Sequence, residues 1–165
     1  MCLQTLLTDE FAREAATTRK HLERLRNDTL DWRPHQKSFT ARELASHLVE
    51  CVGWTEAIFG GDQLDFDPRT FQPFLGSSTE EVIDLFNERV AAGQRALASH
   101  TDADMMNPWR LLIAGHIRFE RPKAVVFRDF TLSHLIHHRG QLSLYLRLLD
   151  IPVPGSYGPS ADERN

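Results

Sequence analysis

A chain of 165 residues, of which 41% are apolar and 25% charged, has an ordinary globular composition, and its length predicts a single domain over residues 1–165. The formal net charge of −4, without any cluster of Lys or Arg, argues against a nucleic-acid partner. Asp9 and Glu10 follow the first apolar residues too closely for a signal peptide, and no apolar run approaches the roughly twenty residues that cross a bilayer. We therefore expect a cytoplasmic protein with no membrane partner, in which Cys2 and Cys51 stay reduced.

Three segments before residue 100 have the apolar periodicity of amphipathic helices. The first runs from about residue 4 to residue 26. The second starts at Thr40, which forms a capping-box pattern with Glu43, and it ends before the glycine pair at 60–61. A second capping-box pattern, Ser78 with Glu81, predicts a third helix that extends to about residue 99.

Two connecting regions have no helical period. Residues 61–77 are rich in phenylalanine and proline, and a loop of this length and composition is expected to lie against the helices or over the mouth of the bundle. Residues 109–120 carry apolar side chains on both sides of Gly115, which predicts either a short hairpin or an irregular crossover.

The fourth and longest pattern runs from about Lys123 to Leu149 and ends before Pro152. One continuous stripe at helical spacing contains Phe127, Thr131, His134, His138, Gln141, Tyr145 and Leu149. Four helices of these lengths predict an all-α fold, a four-helix bundle, with the histidines of the stripe facing its interior.

Two of those histidines have the spacing of metal ligands. His134 and His138 are four residues apart, so on a helix both imidazoles lie on one face and converge on one ion. Two ligands hold an ion weakly, and His47 on the second predicted helix is the candidate for the third. A divalent cation held by three neutral imidazoles keeps an open position for a thiol or water, which is the design of a catalytic centre.

Several alternatives remain open at this point. The His-x-x-x-His pattern also occurs by chance, and core histidines often only form hydrogen bonds. Cys51 is four residues after His47 and either completes a closed four-ligand site or is a small buried apolar residue. Gln141 and Tyr145 either bond a ligand, as groups supporting the site, or are satisfied polar groups of the core.

Other conspicuous residues receive structural interpretations. His137 is predicted at the surface or an interface, Arg139 in a structural ion pair, and Gly140 where another helix or a ligand approaches closely. The remaining histidines lie outside the core stripes and are expected to be exposed: His21, His35, His100 and His116. Three aromatic residues are expected in the core: Trp54, Phe127 and Phe130.

The residues just described resemble a known family. The segment His-Leu-Ile-His-His-Arg-Gly-Gln-Leu at 134–142, followed by Ile-Pro-Val-Pro at 151–154 and Tyr-Gly-Pro-Ser at 157–160, is similar to the C-terminal motif of the DinB-like (DinB/YfiT) superfamily of metal-dependent enzymes. Trp-Arg-Pro at 32–34 and Glu-Leu-Ala-Ser-His-Leu at 43–48 resemble its N-terminal motif. The resemblance covers nearly the whole chain.

This resemblance implies a four-helix bundle with up-down-down-up connections and frequent homodimers. It also implies a divalent metal held by three histidines, which map onto His47, His134 and His138 in this sequence. Family members with known activities include thiol-dependent transferases and isomerases that use bacillithiol or mycothiol, whereas many others have no assigned reaction.

The leading hypothesis is a metal-dependent enzyme that activates a thiol, in the manner of a thiol S-transferase, for attack on a small electrophile. The expected cofactors are a divalent ion, nickel or zinc, and a low-molecular-weight thiol as co-substrate. One alternative is a metal-dependent hydrolase that uses metal-bound hydroxide. Another is a non-catalytic metal-binding stress-response protein, in which the ion only joins the second and fourth helices.

Overall fold

Helices form most of the chain in the computed structural model, which describes residues 2–163. Their bounds are α1 Leu3–Leu22, α2 Ala41–Phe59, α3 Thr79–Ala98, the short α4 Asp102–Met105, α5 Lys123–Phe127 and α6 His134–Leu148. A π-helical turn, Arg128–Ser133, joins α5 to α6, and the backbone angles are helical at both of its boundaries, so that α5, the turn and α6 form one long last helix. Within residues 2–163 no helix is both long enough and apolar enough to span a bilayer.

Side-chain caps set where α2 and α3 begin. Thr40 accepts a hydrogen bond from the backbone N–H of Glu43, whose carboxylate accepts from the N–H of Thr40 at 2.7 Å, so the predicted capping box of α2 is confirmed. At α3 only half of the predicted box forms. Ser78 caps the N–H of Glu81, but the Glu81 carboxylate bonds the backbone N–H of Ser77 instead of that of Ser78.

Contacts between the long helices define their relative directions. Residues in or beside these helices form the contacts. The last helix contacts α1 through Glu10–Arg128 and Glu14–Arg139, and it contacts α2 through Phe39–Tyr145 and Trp54–Phe130. Helix α3 contacts α1 through Gln4–Leu97 and Asn27–Glu80, and it contacts α2 through Arg42–Gly76 and Glu56–Arg89. In this arrangement α1 and the last helix run in one direction, and α2 and α3 run in the opposite direction. This is the up-down-down-up order that the resemblance implies.

The parallel orientation of α2 and α3 explains the long loop between them. Because α3 starts near the start of α2, the chain after α2 must travel back along the whole length of that helix. With 19 residues, α2 is about 28 Å long. Residues 61–77 cover this distance, and they do so on the side of the bundle where α2 meets the last helix.

A small sheet accompanies the helices, so the all-α prediction is correct only in part. Its strands are β1 Gln63–Phe66, β2 Pro108–Ile113 and β3 His116–Pro122. The antiparallel β2–β3 hairpin turns through Ala114 and Gly115, both with positive φ, as a tight two-residue hairpin turn requires. Of the two alternatives predicted for this region, a short hairpin or an irregular crossover, the hairpin is the one that forms. The sequence did not predict β1, which pairs in parallel with β2.

A buried ionic network attaches the C-terminal segment to α1. Arg139 donates to the Glu14 carboxylate at 2.6 Å and to the Tyr157 hydroxyl at 2.7 Å, and this hydroxyl donates to the same carboxylate at 3.0 Å. Arg139 is only 2% exposed and Glu14 only 7%. The predicted structural ion pair of Arg139 is thus confirmed, and its partner lies 125 residues earlier in the chain.

The prediction that His21 is exposed is wrong. His21 is fully buried, with one ring nitrogen 2.9 Å from the carbonyl oxygen of Thr17 and the other 3.4 Å from the hydroxyl of Ser156. The C-terminal segment covers this face of α1, which the periodicity of α1 alone did not indicate. His35 and His116 are exposed as predicted, whereas His100 is half-buried and packs on Phe59.

Gly140 has no close neighbour, so the predicted close approach at this position is also wrong. It is exposed within α6, and a Cβ added there would meet nothing within 4 Å. Because glycine in a helix interior costs about 1 kcal/mol relative to alanine, Gly140→Ala should raise the free energy of unfolding by roughly that amount. Urea denaturation of both proteins measures the change. A lower free energy of unfolding for the variant would show that something does pack against this position.

Candidate metal centre

Three histidines from two distant parts of the chain meet between α2 and the last helix. His47 lies in the second turn of α2, and His134 and His138 begin α6 directly after the π-helical turn. Their ring centroids are 4.9 Å (His47–His134), 4.6 Å (His47–His138) and 4.7 Å (His134–His138) apart. The structure thus brings together all three histidines that the sequence selected, and it leaves the exposed His137 outside the group.

Neighbouring side chains orient two of these rings. The Nδ1–H of His47 donates to the carboxylate of Glu50 at 2.7 Å, and the Nδ1–H of His138 donates to Oε1 of Gln141 at 2.7 Å. Because these acceptors fix the proton on Nδ1, Nε2 of each ring keeps a free lone pair. Metal-binding imidazoles are commonly held in this way. Gln141 therefore contacts His138, whereas the Tyr145 hydroxyl donates to the carbonyl of Phe39 and does not touch the histidines.

The spacing of two ring nitrogens fits a shared cation. Nε2 of His47 lies 3.2 Å from Nε2 of His134, and the His134 ring also has a hydrogen bond with the backbone of Phe130. Since a carbonyl only accepts, this bond places the proton of His134 on its other nitrogen, and two lone pairs then face each other. They repel unless a positive charge lies between them. Two nitrogens bound at about 2.05 Å to a tetrahedral ion are roughly 3.3 Å apart, which matches the spacing found here.

Burial favours the neutral, metal-binding form of His134 and His138. Desolvation lowers the pKa of His134 below the usual imidazole value, and the neighbouring His47 lowers it further. Desolvation is also the largest influence on His138 and lowers its pKa to about 4, although the hydrogen bond to Gln141 opposes the shift. Protons therefore compete weakly for these two rings at neutral pH.

Cys51 is the fourth ligand candidate and lies close to the same point. Ligand atoms of His47, Cys51 and His134 lie within 4.8 Å of one another, so this trio is a geometric alternative to the three histidines. Cys51 is completely buried, and burial together with the nearby Glu50 raises the pKa of its thiol far above the usual range. Because this thiol must lose its proton to bind a cation, both Cys51 and His138 remain candidates for the third ligand.

The depressed histidine pKa values predict how stability depends on pH. Below about pH 6.5, His134 and His138 take up protons in the unfolded chain but stay neutral in the metal-free folded protein. The free energy of unfolding should therefore fall as the pH falls towards about 4. Thermal midpoints measured between about pH 7 and about pH 5 test this, with His138→Ala as the comparison. The variant should lose less stability than the parent protein over this interval, and an equal loss would contradict the lowered pKa of His138.

A cleft opens beside the histidines under the loop of residues 61–77, as the phenylalanine-rich sequence predicted. Several hydrogen bonds hold the loop on α2. The Glu50 carboxylate accepts from the N–H of Phe74 at 3.1 Å, the Ser46 hydroxyl accepts from the N–H of Gly76 at 3.0 Å, and Arg42 donates to the carbonyl oxygens of Gly76 and Ser77. The cleft has a volume of about 600 Å³, and His47 and His134 form part of its wall.

Aromatic side chains form much of the cleft wall. They come from α2, β1, the following loop and the π-helical turn: Trp54, Phe66, Phe71, Phe74 and Phe130. Trp54 and Phe130, which were predicted in the core, are only half-buried because they line this cleft, whereas Phe127 is in the core as predicted. A second pocket of about 280 Å³ meets the group at His138 and is otherwise lined by Lys37, Ser38, Phe39, Gln141 and Tyr145.

Sequence reasoning missed Glu50, which contacts both a histidine and the loop. Its Oε2 accepts from His47 and its Oε1 accepts from the backbone of Phe74, so one carboxylate joins the candidate site to the wall of the cleft. The signal was present, because a carboxylate three residues after a histidine lies on the same helical face.

Comparisons with known proteins agree with this architecture. A protein-family model described as the DinB family matches residues 1–165. The uncharacterized protein YrdA of Bacillus subtilis (strain 168) is 27% identical over 154 residues, which are 91% of this chain and 85% of YrdA.

Two solved structures share the fold. A DinB-like protein from Bacillus cereus ATCC 10987 aligns with a TM-score of 0.73 at 22% identity, over 92% of this chain and 95% of that chain. The DinB-like protein YjoA of Bacillus subtilis aligns with a TM-score of 0.69 at 16% identity, over 93% of this chain and 99% of that chain. At these identities the similarity bears on the fold alone.

Proposed function

Since the chain belongs to the DinB family, we propose that it is a metal-dependent enzyme in which His47, His134 and His138 hold a divalent cation, nickel or zinc, and a thiol attacks a small electrophile. The observation that carries the proposal is the convergence of three imidazoles, with two Nε2 atoms 3.2 Å apart. A cation in this position supplies Lewis acidity, which lowers the pKa of a contacting thiol and makes it nucleophilic at neutral pH.

The side chains around the histidines have positioning roles in this proposal. Glu50 holds the ring of His47 and Gln141 holds the ring of His138, each through a hydrogen bond from Nδ1–H. The Nε2 lone pair of each ring stays free, so both rings are oriented before any ligand binds. Such partners are typically worth 10- to 100-fold in metal affinity. Cys51 stays protonated and contributes packing.

The two pockets give the two substrates separate places. The electrophile occupies the aromatic cleft beside His47 and His134, and the thiol compound approaches from the smaller pocket at His138. In the overall reaction the sulfur forms a bond to an electrophilic carbon, and the bond from that carbon to its leaving group breaks. The leaving group departs with the electron pair, and the thiol proton passes to solvent.

An assay with and without thiol tests the reaction. Protein loaded with nickel or with zinc is mixed with 1-chloro-2,4-dinitrobenzene, and release of chloride and formation of the thioether are followed. We expect turnover only when a low-molecular-weight thiol is present, and none from a His134→Ala variant. An equal rate without thiol would contradict the transferase reaction and would support the second candidate, a hydrolase.

A second measurement separates a catalytic from a structural centre. The three-histidine site leaves a position open, whereas ligation by Cys51 as well would close it in the manner of structural zinc. We expect Cys51→Ala to bind metal as tightly as the parent protein and His138→Ala to bind it at least about tenfold more weakly. The reverse ranking would favour the non-catalytic metal-binding protein.

A further inference from the structure

We propose that the cleft between α2 and the loop of residues 61–77 binds a neutral, flat aromatic molecule, which is then the class of electrophile that the enzyme accepts. The assignment of this molecule as a substrate depends on the proposed function. Its binding does not, because the cleft exists in the chain whether or not the histidines hold a cation.

The first reason is the presence of aromatic faces on both sides of the cleft. On the side of the helices, Trp54 and Phe130 lie with their ring centroids 5.3 Å apart. On the side of the loop, Phe66 and Phe71 are 5.0 Å apart, and Phe71 remains 48% exposed although it is apolar. A flat ring placed between these pairs buries exposed aromatic surface and gains the offset or edge contacts that aromatic rings prefer.

The second reason is that each charged group of the lining already has a hydrogen-bond partner within the protein. Glu50 bonds His47 and the N–H of Phe74, Asp65 accepts from the N–H of Gly115 at 3.0 Å, Asp67 pairs with Arg69 at 2.7 Å, and Arg89 pairs with Glu56 at 3.1 Å. An anionic ligand would therefore lose hydration without finding a free cation among these four groups, because three are carboxylates and Arg89 already pairs with Glu56.

The third reason is size. A volume of about 600 Å³ lies in the range of pockets that enclose most of a drug-sized ligand, and such pockets are mostly apolar with a few placed polar groups. His47 and His134 are among the polar groups at the wall, so a bound aromatic molecule lies against the candidate reaction centre.

Gly53 allows the cleft to be filled without disturbing the fold. It lies on α2 in the wall of the cleft, and a Cβ added there would meet only the flexible Arg89 side chain, at 3.9 Å. Leucine at this position should project into the cleft and should also favour the helix, since glycine is a poor helix former. Gly140 of α6 offers the matched control, because it is helical and has no neighbour within 4 Å.

The test measures binding of two fluorescent probes that differ by one charged group. N-phenyl-1-naphthylamine is neutral, and 8-anilinonaphthalene-1-sulfonate carries an added sulfonate on the same skeleton. With metal-free full-length protein we expect the neutral probe to bind at least about tenfold more tightly than the anionic one. Gly53→Leu should weaken binding of the neutral probe at least about tenfold, and Gly140→Leu should leave it unchanged.

Further results bear on the inference directly. Phe71→Ala, at a half-exposed loop position, should weaken binding of the neutral probe about fivefold even if Gly53→Leu unfolds. Equal affinity for the two probes, or no effect of either cleft variant on a folded protein, would overturn the inference. If the neutral probe binds as expected but no metal binds, the cleft assignment stands and the proposed function fails. If metal binds and thiol transfer proceeds but the neutral probe does not bind, the proposed function stands and the cleft assignment fails.

Discussion

Replacing His134 by alanine should remove stoichiometric binding of nickel and zinc, with a loss of affinity of at least about 100-fold. His134 supplies one of the two nitrogens that lie 3.2 Å apart, so its loss leaves at most two imidazoles on the site. Equilibrium dialysis followed by elemental analysis measures the bound metal per chain. The same loss is expected for His47→Ala, because that ring contributes the opposing nitrogen.

His137→Ala is the matched control for this prediction. His137 is adjacent to His138 in sequence but exposed, with its Nε2 3.2 Å from Gln141. The control variant should bind metal nearly as tightly as the parent protein. Retention of metal by His134→Ala, or an equal loss in His137→Ala, would mean that the ion is held elsewhere or only by surface imidazoles.

Metal binding should also stabilise the fold, because the ion links α2 to the last helix. A ligand that binds only the folded state adds about 2.7 kcal/mol at a concentration 100 times its dissociation constant. The thermal midpoint of the parent protein should therefore rise with added metal, and that of His134→Ala should not.

Removing the Glu14 carboxylate should cause a large loss of stability. Glu14→Ala leaves the Arg139 guanidinium, which is 2% exposed, without its ionic partner, and breaking a buried pair in this way costs about 3–5 kcal/mol. The Tyr157 hydroxyl also loses its acceptor, so the C-terminal segment should loosen. Urea denaturation measures the free energy of unfolding, and proteolysis near residue 157 reports the release of the segment.

Two comparisons show whether burial is the cause. Arg19→Ala breaks a pair with Glu23 whose side chains are about half exposed, and it should change the free energy of unfolding by no more than about 1 kcal/mol. The double variant Glu14→Leu with Arg139→Met removes both charges and should recover much of the loss. A similar small effect for Glu14→Ala and Arg19→Ala would mean that the buried charge is solvated after all.

Local sequence signals determined most of the helical architecture. The helical apolar periods, the Thr40–Glu43 capping box and the glycine stop at 60–61 located α2 within a residue, because these interactions connect residues no more than four apart. The hairpin around Gly115 was one of two alternatives predicted from the sequence, and it also rests on a local interaction, since a two-residue turn with positive φ favours glycine. The four-residue spacing of His134 and His138 likewise places both rings on one face of one helix.

Contacts between distant segments were decided only by the tertiary structure. The pairing of β1 with β2, the burial of His21 under the C-terminal segment and the bond from Glu50 to Phe74 each join parts of the chain whose separation no local pattern encodes. The π-helical turn before His134 also escaped prediction, because regular periodicity assumes a constant angle per residue. The sequence by itself therefore determined which side chains share a helical face. Only the packing of α2 against the last helix decided that His47 meets His134 and His138, because burial and long-range hydrogen bonds depend on the whole chain at once.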